Sequence, residues 1–542
     1  MRFSSKEENS MKMKKSSSVI SKILALCLAM VLSLAMGITA MAAPEGGLTG
    51  SETADVTVDG LDTENEVTVE AYQIITVNID LESGQPKNPM YTWNSEVVKW
   101  LKDNGYGNYI GSGNAVQDAF GDMSADNQKE FLEKLANGIK TGTCDLDATD
   151  TMKSNSGSVT FENMSMGEYL LIASGGVKIY QPTTVKLVPE YKDGSWKVGT
   201  PVVGTDSVMK STEPTISKEV VDKDDETVAV GDEVTFRLKA IVPDYPEDAT
   251  YRKFVVSDKL GTGFDYSGDE TIKVFRDEAG QQVIGNENYT IAETPEKERT
   301  FQINFEDAFI TENAGQTIYI TYRAVVNDEA FTVDELKNDA FLGYNNDPYV
   351  GSDYETDTTK KVYTYGIEVK KVDKNGGILS GAVFTLKKGN SLLKFDGVDG
   401  VYTHNSEGTS SEVEVGANGV LKLQGLDVGT YILEEVKAPD GYVLPTGKIT
   451  IVIEDKEPDG TIDGGDGVVT SDGTIKLKEK ATVNTKVISL IVENTSAEDA
   501  GFTLPTTGGM GTTIFTIVGI LLMGGAAAMV VVISRRKKHG YK

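Results

Sequence analysis

The residues best suited to chemistry lie on short alternating stretches. In "GIEVKKVD" the residues Ile367, Val369 and Lys371 recur with period two; "TYILEEVKAPDGY" does the same with Tyr431, Leu433 and Glu435, and "VISLIVEN" with Ile488, Leu490, Val492 and Asn494. Same-parity residues of a strand share a face. The apolar face therefore also carries one lysine, one glutamate and one asparagine. An unpaired buried charge is costly, and desolvation lowers a lysine's pKa while raising a carboxyl's. Such a pair is driven toward a neutral amine, which is a nucleophile, and a neutral acid. A protonated Glu435 that hydrogen-bonds the Asn494 amide oxygen would polarise its carbon and carry the proton that lets ammonia leave. The expected product is a Lys371–Asn494 isopeptide bond, formed once and never turned over.

A second set offers the same parts with a shorter acid. Lys218 is in phase with Ile216, "KFVVSDKL" aligns Phe254, Val256 and Asp258, and "NDAFLGYNNDP" aligns Ala340, Leu342, Tyr344 and Asn346. Parity predicts a Lys218–Asn346 bond with Asp258 as the acid and puts Asn345 on the opposite face; a plain Lys218–Asp258 salt bridge is the alternative. The first third departs from the pattern. "FENMSMGEYLL" (161–171) aligns with "LQGLDVGTYIL" (423–433), which sets Ala173 at the place of Glu435, and no lysine occurs between Lys22 and Lys87. No cross-link of this kind is expected there.

These residues need strands to hold them. From Val56 to Asn494, runs such as "EVTFRLKAIV" and "TIYITYRAVV" alternate over five to eight residues between Gly, Asp, Asn and Pro, the pattern of β-sandwich strands. The fold class is all-β, as three tandem Ig-like sandwiches. The first carries helical insertions, because "SEVVKWLKDNG" and "SADNQKEFLEKLANGIK" place their apolar residues at helical spacing, the latter after a Ser124 cap. Polar or Pro-bearing connectors put the boundaries at 43–210, 211–362 and 363–497.

The two ends address the chain. Residues 1–42 read as a signal peptide: lysines, the uncharged run from Ile23 to Met36 that holds Cys27, then Ala40-Met41-Ala42. Residues 498–542 hold "LPTTG" (Leu504, Pro505, Thr506, Thr507, Gly508), an uncharged run from Ile514 to Ile533, and a basic tail, a span long enough to cross a bilayer with its positive end inside.

Composition removes several functions. With 52 basic against 82 acidic residues, a net charge of −30, the chain repels phosphate backbones, so nucleic acid is not an expected partner. His404 is the one histidine ahead of the basic tail, too few for a Ser/His/Asp or Cys/His system or a His-rich metal site. No cofactor and no metal is expected, and "DGTIDGGDG" (459–467) reads as a hairpin turn. A glycosidase that works with carboxylates alone stays open. Past the signal Cys144 stands alone, so no internal disulfide forms, and it reads as a buried inert thiol.

The tail, in its order of motif, span and basic residues, resembles the cell-wall sorting signal of Gram-positive surface proteins. "YILEEVKAPDGY" resembles the E-box of sortase-assembled pilins, and the two lysine, acid and asparagine sets resemble the isopeptide triads of those pilins and of collagen-adhesin B-type domains. The resemblance implies the major subunit of a covalent fimbrium, secreted and held transiently by its C-terminal span. Its implied partners are a sortase, identical subunits, minor pilins, peptidoglycan and a host or matrix ligand. Asp258 and Glu435 would be the isopeptide acids, and the carbonyl of Thr507 would be attacked by the sortase thiol and passed to an amine of the next subunit. The family's position for that amine falls on Lys210, with Val208 and Met209 replacing its Tyr-Pro pair, and Lys197 and Lys192 stay open as acceptors. A monomeric wall-anchored adhesin is the alternative reading.

Overall fold

The computed structural model describes residues 47–199, 208–223, 225–464 and 468–501. The expected signal peptide, with Cys27, lies outside them, and so do the sorting motif and the apolar run. Among the described residues no helix is long and apolar enough to cross a membrane.

The described chain is built of successive sheets, antiparallel except for one mixed sheet in the last third. The first third centres on a sheet in which the strand Val67–Asp80 pairs with Gln85–Trp93, Asp150–Ser154 and Gly167–Gly175, with Thr183–Leu187 beyond. Its central strands are buried on both faces. On one side Val69, Ala71, Tyr169 and Leu171 pack against Val56, Val58 and Phe161 of the paired strands Thr53–Asp59 and Ser158–Ser165. On the other, Tyr72, Ile74, Leu170 and Ile172 meet the helices. That is why the strand Gly167–Gly175 reads as a nearly unbroken apolar run.

The two longer helices are Ser95–Asp103 and Ala125–Lys140. Asn94 caps the first by accepting from the Glu96 amide at 3.1 Å, and Ser124 caps the second through the Asn127 amide at 3.3 Å. Their apolar faces, with Trp100, Phe131 and Leu135, close the outer core, where Cys144 is buried.

The middle third is two facing sheets. One runs Ile216–Val220, Glu233–Ile241, Thr317–Val326 and Phe264–Tyr266; the other runs Tyr289–Ile291, Phe301–Phe305, Phe254–Leu260, Leu336–Asn345 and Asp353–Val362. Alternate residues of both, among them Phe236, Leu238, Tyr322, Val256, Phe301 and Leu342, fill one core.

The last third repeats the plan. The strand Tyr365–Val372 lies between Val420–Leu426 and, in parallel, Val487–Glu493. The facing sheet centres on Gly429–Lys437, between Val383–Lys388 and Ile449–Ile453.

Backbone and side-chain bonds tie the thirds together. Tyr349, from the turn after Leu336–Asn345, is buried in the helical core of the first third, and Tyr344 donates to the Val177 carbonyl at 2.6 Å. At the other junction the Val230 amide donates to the Gly425 carbonyl at 3.0 Å. Lys486 donates there to the carbonyls of Val333 at 2.6 Å and Phe331 at 2.9 Å.

The repeat between the first and last thirds has a physical counterpart. Tyr169 donates to the Ser165 carbonyl at 2.9 Å and Tyr431 to the Asp427 carbonyl at 2.8 Å, each reaching four residues back to pin the turn before its strand. Removing the hydroxyl strands a half-buried acceptor. Tyr431→Phe is expected to lower the opening free energy of its sheet by about 1–2 kcal/mol, read by amide hydrogen exchange across 429–437.

Candidate functional site: two buried lysine, acid and asparagine clusters

In the last third, two parallel neighbours and one facing strand converge. Lys371 is next to last in Tyr365–Val372, and Asn494 directly follows Val487–Glu493, its amide still donating to the Val372 carbonyl at 3.0 Å. Glu435 points across from the facing sheet. Lys371 is fully buried, with Asn494 and Glu435 nearly so. The Lys371 amine donates to the Asn494 Oδ1, its Nζ lies 2.9 Å from Glu435 Oε2, and Asn494 Nδ2 donates to Glu435 Oε1 at 2.7 Å. The acid thus bridges the nitrogen that would attack and the nitrogen that would leave. Burial lowers the Lys371 pKa, opposed by the Glu435 charge. The Phe384 ring, its centroid 5.8 Å from Nζ, helps keep water away.

The middle third brings Lys218 to Asp258 as its sequence suggests. Both side chains are fully buried, and Lys218 Nζ donates to Asp258 Oδ2 at 2.5 Å. The rings of Phe236 and Tyr322 flank the amine at 5.2 and 5.5 Å. Burial lowers the Lys218 pKa to about 8 against the pull of Asp258, and burial raises that of Asp258.

Asn346 is not part of this cluster. Register explains why: Asp258 lies opposite Ala340 and Leu260 opposite Asn338, while Tyr344 pairs with Phe254 at the far end of the strand. Asn346 lies beyond that end, where its Nδ2 donates to the Gly176 carbonyl at 2.7 Å and ties the middle third to the first. The asparagine that Tyr322 links to Asp258 is Asn338, fully buried, with its Oδ1 unpartnered and its Nδ2 donating to the Tyr322 hydroxyl at 2.8 Å. Tyr322 in turn donates to Asp258 Oδ2 at 2.6 Å. Asn338 has the same parity as Asn346, so period-two spacing admits both. The parity argument against Asn345 is also incomplete: it is buried at the strand end and donates to the Tyr251 carbonyl at 3.2 Å.

Lys210 is exposed on a connector whose backbone is held on both sides. The Met209 amide donates to the Asp59 carbonyl at 2.9 Å, and the Gln181 amide donates to the Lys210 carbonyl at 2.9 Å. Next, Ser211–Thr212 pairs with Ile179–Tyr180. Lys192 and Lys197 sit on the hairpin Pro189–Lys192/Ser195–Val198, and Lys197 faces Asp193 at 3.3 Å. Ala173 lies opposite Val69, and no acid stands at its place. Among the described residues no group of His, Cys, Asp and Glu is arranged to hold a metal ion. Ahead of the loop from 459, Asp455 accepts from the Tyr365 hydroxyl at 2.6 Å and from the Gly460 amide at 2.9 Å.

Tandem β-sandwiches with lysine, acid and asparagine clusters in their cores, ahead of a sorting tail, define a modular wall-anchored surface protein. Residues 365–467 match the family model described as the SpaA prealbumin-like fold domain, and 497–539 match the LPXTG cell wall anchor motif. Over 352 residues, 58% of the chain, it is 25% identical to the trypsin-resistant surface T6 protein of Streptococcus pyogenes serotype M6, and it spans 61% of that relative's length. The T6 backbone pilin of serotype M6 Streptococcus pyogenes, a modular three-domain structure, superposes with a TM-score of 0.54 at 19% identity, covering 83% of this chain and 100% of that one. The full-length major pilin SpaD of Corynebacterium diphtheriae covers 84% of this chain and 100% of its own at TM-score 0.48 and 18% identity. By these matches the chain holds a SpaA prealbumin-like domain and an LPXTG anchor motif, and its fold is similar to that of the T6 backbone pilin.

The two asparagines of the middle third are separable by experiment. Asn338→Ala is expected to remove one ammonia loss from the intact mass of the folded chain. Asn346→Ala should keep that loss and speed amide exchange around Gly176 and Val177. The reverse pattern would return the cross-link to Asn346.

Proposed function

We propose that the chain is the backbone subunit of a covalently polymerised pilus, with units at 43–210, 211–362 and 363–497, the latter two closed by internal isopeptide bonds. The observation that carries the reading is the dry cluster of Lys371, Glu435 and Asn494. Neutral Lys371 Nζ attacks Asn494 Cγ, Glu435 takes one Nζ proton and returns it to Nδ2, and the tetrahedral carbon collapses with loss of ammonia. One C–N bond forms and one breaks, and the acid is regenerated. In the middle unit the equivalent bond is Lys218–Asn338, with Asp258 as the acid. Glu435 and Asp258 act once per chain, so the protein is not a turnover enzyme.

Between subunits a sortase joins Thr507 of one copy to Lys210 of the next, and the last copy passes to peptidoglycan. Lys210 is favoured over Lys192 and Lys197 because the backbone beside it is bonded to two other segments of the first unit, at Asp59 and Gln181, whereas the exposed lysines of the hairpin lie on two strands that pair with each other. A presented amine of fixed position suits an enzyme that must bring two chains together. Minor pilins and a host or matrix ligand complete the expected partners.

Two outcomes test this. Lys210→Ala is expected to leave a folded, exported chain with both internal bonds and no ladder of detergent-resistant multimers; a persisting ladder would move the acceptor elsewhere. The second concerns pH. The attacking form of the Lys218–Asp258 pair is the neutral amine beside the ionised carboxyl. Burial brings the Lys218 pKa down to about 8, and the raised Asp258 pKa means that acid removes the base as well. The rate of middle-unit ammonia loss on refolding should therefore rise with pH to about 8 and level off above it. A rate that still climbs through pH 10 would mean that Lys218 keeps an ordinary, solvated pKa.

A further inference from the structure

The two clusters differ in one respect that the length of their acids explains. In the last unit the glutamate reaches the leaving nitrogen directly, with Asn494 Nδ2 2.7 Å from Glu435 Oε1. In the middle unit the acid is one methylene shorter, and Asn338 Nδ2 makes its hydrogen bond to the Tyr322 hydroxyl, not to Asp258. The same hydroxyl stands 2.6 Å from Asp258 Oδ2, the oxygen that also accepts from Lys218 at 2.5 Å. An unbroken line of contacts runs from Lys218 Nζ through Asp258 Oδ2 and the Tyr322 oxygen to Asn338 Nδ2. Tyr322 and Lys218 come from one sheet, through strands that both pair with Glu233–Ile241, whereas Asp258 and Asn338 come from the facing sheet. The line therefore closes only when the two sheets are packed.

Resting on the reading that Lys218 and Asn338 condense, we infer that Tyr322 is a further catalytic residue of the middle unit, whose hydroxyl carries the proton from Asp258 to the leaving nitrogen. Lys218 Nζ loses a proton to Asp258 Oδ2 as it bonds to Asn338 Cγ. The carboxyl proton then passes to the Tyr322 oxygen while the phenol's own proton passes to Nδ2, which departs as ammonia with the electron pair of the broken C–N bond. Tyrosine and aspartate end as they began. The hydroxyl serves in both directions: before reaction it donates to the carboxylate and accepts from the amide, and with Asp258 protonated both bonds reverse. Tyr322 is fully buried, its ring stacked on Phe236 with centroids 5.5 Å apart and edge-on to Phe301 at 4.8 Å. The hydroxyl is thus held in place and no water is needed.

The test uses the full ectodomain, with the last unit's cross-link as an internal clock. Tyr322→Phe keeps the ring and its packing. The Lys218–Asn338 bond, followed by intact mass and peptide mapping after refolding, is expected to form about 100-fold more slowly than in the parent chain, while Lys371–Asn494 forms at its usual rate. Adding Asp258→Glu should recover much of the lost rate, because the longer acid reaches Nδ2 as Glu435 does. A Tyr322→Phe chain that links at the parent rate overturns the relay. So does a slow variant that the longer acid does not rescue, since that pattern is packing damage. A parent chain lacking any Lys218–Asn338 bond overturns the underlying condensation as well, and is told apart by its unshifted mass.

Discussion

An ammonium group held in a dry protein core governs this structure. Taking Lys218 and Lys371 out of water costs more than their carboxylate partners return, and the lowered lysine pKa values are the measure of that imbalance. A buried salt bridge is a weak stabiliser, and replacing it with apolar residues is often neutral or better. Its retention in two successive sandwiches makes sense if the pair is a reagent. The aromatic walls of Phe236, Tyr322 and Phe384 then keep the amine deprived of water until it reacts. The rest of each sandwich acts as a jig that brings three side chains from different strands to one point.

The two jigs are built differently. In the last unit the lysine and asparagine sit on parallel neighbours of one sheet, with only the acid coming from the other. In the middle unit the lysine lies on one sheet while the acid and asparagine lie on the other. The proposed Lys218–Asn338 bond would sew the two sheets together, whereas the proposed Lys371–Asn494 bond would join two adjacent strands of one sheet. The same chemistry thus tolerates two topologies, provided that the acid, or a hydroxyl standing in for its missing methylene, touches both nitrogens.

Much of this was legible in the sequence, and the exceptions have physical causes. Lys371 and Glu435 lie on strands whose in-phase residues ahead of them are apolar or aromatic, and Asn494 directly follows a third such strand, so parity alone leads to all three. The strand Leu336–Asn345 is longer and carries in-phase asparagines near both ends, and only its register against Phe254–Leu260 distinguishes Asn338 from Asn346. Register between distant strands leaves little trace in either strand alone. Tyr322 was invisible for another reason: in "TIYITYRAVV" it alternates with Ile318, Ile320 and Ala324 and reads as one more core aromatic. The placement of Lys210 depends on backbone bonds to residues 59 and 181, which no local pattern announces.

The parallel pairing of Tyr365–Val372 with Val487–Glu493 has a mechanical consequence. Pulled from its two ends, the last unit receives load at the start of one strand and passes it on at the end of the other. With Lys371 joined to Asn494, the force path leaves the backbone at Lys371 and rejoins it at Asn494, so everything between them hangs beside the path as unloaded cargo. The middle unit is not sheltered in the same way. Its path from Lys218 re-enters the backbone at Asn338 and must still follow the hairpin formed with Asp353–Val362, whose tip holds Tyr349 in the first unit. In the proposed pilus that hairpin is a length the middle unit could pay out under tension, a built-in shock absorber whose first movement is the withdrawal of Tyr349 from its socket.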